Sequence, residues 1–170
     1  MNVPRATLPE IQRKVVTACK AAMPAALQPL WDTMLHAPNV VYEDTVSALR
    51  AAYSDEGERM AAVLSWFGHG DGSCPVCWML VGKLIFSFPE PVRRLVRVVE
   101  GATDGDLLNG ACLFLNSHLE PRHALSAGVS RERLATLREE VRKLPVAARE
   151  RLVDAWAERG GEPGDLLFLG

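Results

Sequence analysis

At 170 residues, with 48% hydrophobic and 24% charged residues, the chain has the size and make-up of one globular domain with a substantial core. A net charge of -2 and a pI of about 6.1 give no global electrostatic pull toward nucleic acid or an anionic membrane. Four cysteines at uneven spacing are too few for a disulfide scaffold, and the longest apolar stretch, Val76 to Phe88, is interrupted by Lys83 and too short to span a bilayer. The opening MNVPRATLPE lacks the apolar core of a signal peptide, so the expectation is a cytoplasmic protein with reduced thiols.

Taken in order, Thr7-Leu8-Pro9-Glu10 fits a capping box, and Leu8, Ile11, Val15, Cys19 and Ala22 follow at helical spacing. Pro24 and Pro29 interrupt the chain before a short helix through Leu27, Leu30, Trp31, Met34 and Leu35. Asn39 is an N-cap for a helix whose apolar stripe is Tyr42, Val46, Leu49 and Tyr53. Ser54-Asp55-Glu56 starts another, which carries Met60, Val63, Leu64 and Phe67 inward. Gly68, Gly70 and Gly72 then end it.

Ser73 caps a helix whose body, Trp78 to Phe88, is apolar nearly all round and therefore predicted to be interior. Pro89 and Pro91 separate it from a helix with Val92, Leu95, Val96 and Val99 on one face and Arg93, Arg94 and Arg97 on another. Thr103-Asp104 opens a second all-round apolar helix, Leu107 to Leu119. Ser130 caps a helix with Leu134, Leu137, Val141 and Leu144 inward. Pro145 turns the chain into an antiparallel partner with Ala148, Leu152, Val153 and Trp156 inward, ended by Gly160-Gly161. The dense mixed charge of residues 131–159 reads as a solvated outer face. The apolar tail from Asp165 to Gly170 should dock on its own core or on a partner.

The expected fold is all-α: a single-domain orthogonal bundle of about seven or eight helices over residues 1–170. Residues 131–159 form its C-terminal helical hairpin, with subdomain character.

The chemistry concentrates in one stretch. Cys74-Pro75-Val76-Cys77 opens a helix, where unsatisfied N–H groups and the positive end of the dipole favour thiolate. His69-x4-Cys74-x2-Cys77 offers three zinc ligands in nine residues. The fourth falls to Asp71 or Cys112, or to His36, His118 or His123. Cys-Pro-Val-Cys also resembles the active-site tetrapeptide of glutaredoxin-like proteins. That resemblance implies a redox pair with Cys74 as nucleophile and Cys77 as resolving thiol, but no flanking strand pattern accompanies it. A Cys–His nucleophile pair, Cys74 with His69 or His118, lacks a third group in the sequence. The bland alternative makes Cys74 and Cys77 small hydrophobes at the top of a buried helix, and Cys19 and Cys112 core residues.

The resulting expectation is a non-enzymatic helical protein acting through protein contacts, as a homodimer or with another protein, and stapled by zinc. A thiol oxidoreductase is the alternative. A nucleic-acid-associated regulator using Arg93, Arg94 and Arg97 is weaker, because the stripe has no interleaved aromatics and the charge balance argues against nucleic acid.

Overall fold

The computed structural model describes residues 17–29, 42–69, 84–85, 87–119 and 130–166. Among these residues all regular structure is helical, as expected for an all-α bundle. Residues 17–22 are the end of the first predicted helix, with Cys19 buried. Then follow α1 (Tyr42–Ala52), α2 (Glu56–Gly68), α3 (Pro91–Gly101), α4 (Gly105–Leu119), α5 (Arg131–Arg142) and α6 (Val146–Ala157). A 3-10 turn, Pro163–Asp165, closes the described chain. No helix among the described residues is long and apolar enough to cross a membrane. The predicted caps Thr7, Asn39 and Ser73 lie outside the described residues, as does most of the predicted helix Trp78 to Phe88. Of that stretch Leu84, Ile85, Ser87 and Phe88 are described, with Ser87 half-buried and the other three buried.

Helix starts follow local chemistry. The Asp55 carboxylate accepts from the Glu58 amide at 2.9 Å, and the Ser130 hydroxyl accepts from the Arg133 amide at 3.1 Å. Each removes one of the unsatisfied N–H groups of a first turn, a contribution of about 1 kcal/mol. Asp104 does the same for α4, accepting from the amide of Asp106 at 2.8 Å.

Helix α4 is the hub. Every residue from Leu107 to Leu115 is buried, so no face of this segment meets water. It packs on α2, α6, α5 and α3, most extensively on α2. The α2–α4 crossing is backbone against backbone. A Cβ on Gly110 would lie 1.8 Å from the Leu64 carbonyl oxygen, and one on Gly68 would lie 1.6 Å from that of Asp106. Gly68 is therefore more than the break in the helix that its glycine-rich neighbourhood suggests. It is the last residue of α2, and its missing side chain is what lets α4 approach.

The inward faces match the predicted stripes in α2, α3 and α5: Met60, Val63, Leu64 and Phe67, then Val92, Leu95 and Val99, then Leu134, Leu137 and Val141 are all buried. In α6 the buried positions are Ala148, Leu152 and Ala155, while Val153 and Trp156 are half-buried. Trp156 lies beside the chain that follows it. Its indole N–H donates to the Glu162 carbonyl at 3.1 Å, and Gly161 leaves room for the ring. Leu166 is buried, so the start of the apolar tail does dock on its own core; residues 167–170 lie outside the described residues. The turn from α5 to α6 falls where Pro145 predicts it. Yet α6 packs chiefly on α4, and α5 on α3 and α4, because the apolar stripe of each is turned to the common core.

Arginines of α6 finish other helices. Arg149 donates to the carbonyls of Leu144, at 3.0 Å, and Arg142 beyond and at the end of α5. Arg151 reaches the carbonyls of Glu100 and Ala102 at the end of α3. A solvated outer face is thus an incomplete description of residues 131–159, since these guanidinium groups satisfy helix ends.

Candidate functional site

Helix α2 ends at Gly68, and His69 follows as its C-cap with helical backbone angles, φ -75° and ψ -10°. The end of α2 is anchored from α4: the Asn109 side-chain amide, 2% exposed, donates to the Gly68 carbonyl at 2.7 Å. An amide this deeply buried is tolerated because it is hydrogen-bonded. One turn earlier on α4 stands Asp106. Its two carboxylate oxygens face two side chains that stand at the ends of different helices. Oδ1 accepts from Arg159 Nη2 at 2.5 Å, and Oδ2 lies 3.5 Å from His69 Nε2. Arg159 also donates through Nη1 to the Ala155 carbonyl at 3.2 Å, which ties it to the last turn of α6.

Three helix ends therefore converge: the C-termini of α2 and α6 and the N-terminus of α4. Asp106 sits in the first turn of α4, where the helix dipole favours a negative charge. His69 remains accessible, with its side chain 38% exposed. Among the described residues no group takes its Nδ1. A carboxylate at ion-pair distance from one ring nitrogen of an accessible histidine is a neighbourhood suited to metal binding or proton transfer.

Of the predicted site residues, His69 is thus placed beside a carboxylate that spacing in the sequence did not single out. Asp71, Cys74 and Cys77 lie outside the described residues, as do His36 and His123. Cys112, a predicted fourth ligand, is in the core with a free thiol whose Sγ donates to the Leu152 carbonyl at 3.5 Å. Burial pushes its pKa up to about 12, although Arg159 pulls the other way. The structure does not bring Cys112 to His69: it lies on α4 six residues, or about 9 Å, beyond Asp106 and faces α6. Among the described residues no three His, Cys, Asp or Glu side chains form a group able to hold a metal.

The basic stripe of α3 is already partly compensated. Arg93 pairs with Glu90 at 3.2 Å, and Arg94 pairs with Glu56 of α2. Asp106, Asn109 and Arg159 are the residues that sequence reasoning missed at this site. Asp106 carried a signal only as a helix-start acid, and nothing in the spacing tied Arg159 to it. The chain matches no protein-family model, and no curated protein and no solved structure is detectably similar to it.

Proposed function

We propose that this is a non-enzymatic helical protein that acts through contacts with a second copy of itself or another protein. A structural zinc held by His69, Cys74 and Cys77 fastens the chain beyond α2 to the bundle. The observation that supports this reading is the His69–Asp106–Arg159 cluster, which holds one accessible imidazole five and eight residues before Cys74 and Cys77 in the chain. The fourth donor falls to Asp71 or to one of His36, His118 and His123. Cys112 is a poor candidate, because its buried thiol resists the deprotonation that zinc ligation needs. Zinc in such a site supplies folding energy rather than reactivity. The carboxylate partners of Arg93 and Arg94 weigh against a nucleic-acid surface on α3.

Protein purified without added metal should carry about one zinc per chain, and Cys77→Ser should lose it together with thermal stability. Metal-free protein with a reversible Cys74–Cys77 disulfide and a depressed Cys74 pKa would replace this reading with a thiol oxidoreductase. Sedimentation of the zinc-loaded protein over a range of concentrations tests the self-contact.

A further inference from the structure

The turn that ends α6 is gathered on Trp156. Its carbonyl accepts from the amides of Arg159, at 3.2 Å, and Gly161, at 3.0 Å, while the Gly160 amide donates to the Ala157 carbonyl at 2.9 Å. Gly160 takes the left-handed backbone, φ 80°, that this kind of helix ending uses, and a Cβ there would meet nothing within 4 Å. The Trp156 indole N–H then holds the Glu162 carbonyl at 3.1 Å. Residues 162–165 are exposed, and Leu166 is buried in the core. The segment thus crosses the surface as a strap pinned by Trp156 at one end and Leu166 at the other. Arg159, in the same turn, bonds Asp106 in the first turn of α4 at 2.5 Å.

We infer that residues 160–166 form a strap that opens and closes about Gly160, and that its closure sets the Arg159–Asp106 bridge. A segment with two anchors and a wet middle opens at less cost than the whole fold. The coupling lies in the shared turn. Arg159 stands inside the loop that the Gly161-to-Trp156 bond closes, so its backbone loses its fixed course when the strap lifts. One guanidinium then links the segment after α6 to the start of α4, and no metal enters the device. A passive tail makes a different prediction. Arg159 also donates to the Ala155 carbonyl at 3.2 Å, and that bond alone would keep the bridge in place whatever the strap does.

The test is hydrogen exchange in the full chain at two side chains, beside the backbone amides of Leu107 to Leu115. The two are the Trp156 indole N–H, identified by its loss in Trp156→Phe, and the Arg159 guanidinium. Gly161→Ala sets a methyl 2.2 Å from the indole nitrogen and should hold the strap open. Exchange at Trp156 and at Arg159 should both quicken by about fivefold or more, with the α4 amides unchanged. Coupling is reciprocal, so Asp106→Asn should quicken the Trp156 indole by a similar factor. Leu166→Ala unpins the far end and should repeat both effects, which keeps the test open if Gly161→Ala does not fold. An Arg159 signal that stays put while the indole quickens, or an indole unmoved by Asp106→Asn, overturns the inference. So does a wild-type indole that exchanges no faster than the α4 amides, since the strap would then open only with the whole bundle.

Discussion

Arg151 of α6 donates from Nε to the Ala102 carbonyl at 2.9 Å and from Nη2 to the Glu100 carbonyl at 2.7 Å, closing α3 from a distant part of the chain. Two charge-assisted bonds to carbonyls with no helical partner should be worth more than an ordinary surface contact. Arg151→Met keeps the apolar stem and removes both donors. It should cost about 2 kcal/mol, read as a lower urea midpoint at unchanged slope. Arg151→Lys should recover less than half, because one ammonium cannot reproduce the fork. A change for Arg151→Met within the scatter of surface substitutions would refute the assignment.

The α2–α4 crossing predicts a contrast between two glycines. Gly110→Ala pushes a methyl into the Leu64 carbonyl and forces the helices apart, at a cost of about 3 kcal/mol or more. Gly101→Ala, at the end of α3, meets nothing within 4 Å. It should be neutral or stabilise by up to about 1 kcal/mol through helix propensity. Calorimetric melting of both variants checks this, and equal effects would contradict the close approach.

Cys112 should be silent to thiol reagents in the native protein at pH 8 and react only on unfolding, since its thiol is buried with its pKa pushed up to about 12. The folded pKa is raised above the unfolded value. The stability it carries is therefore complete below the unfolded pKa near 9 and is lost as pH rises toward 12. The stability advantage of wild type over Cys112→Ala should shrink across that interval. Peptide mass analysis after native labelling, and urea curves at pH 8 and near pH 11, measure the two halves of this prediction. Rapid native labelling of Cys112 would place the thiol elsewhere.

Asn109 should tolerate loss of its amide better than conversion to an acid. Asn109→Ala removes the buried hydrogen bond to the Gly68 carbonyl and should cost about 1–3 kcal/mol. Asn109→Asp instead sets a carboxyl against the Gly68 carbonyl oxygen in a site that is 2% exposed. Burial raises that carboxyl's pKa above the unfolded value of about 4, so stability is lost as pH rises. The melting temperature of Asn109→Asp should fall relative to wild type between about pH 4 and pH 7. Parallel pH curves for the two proteins would argue against this placement of Asn109.

Much of the framework was legible because its causes are local. Ser130 and Asp55 announce helix starts three residues before the amides they serve, and Leu134, Leu137 and Val141 repeat at the helical period. The all-round apolarity of Leu107 to Leu115 marked α4 as interior for the same reason. The site was half legible. His69 stood out by its neighbours in the chain, but Asp106 and Arg159 reach it only through the α2–α4 and α4–α6 packings. Gly110 carries no mark of its role in the sequence, since the facing carbonyl that requires a glycine there belongs to another helix. Arg151 looked solvated because a carbonyl some fifty residues away leaves no trace in local spacing.

The seal that α6 places over α3, α5 and α4 bears on how the protein is made. Until α6 has left the ribosome, α4 has one uncovered side and the carbonyl ends of two helices lack their donors. Early-synthesised segments can form helices but cannot close this packing, so the side of α4 that α6 covers stays exposed until α6 has been made.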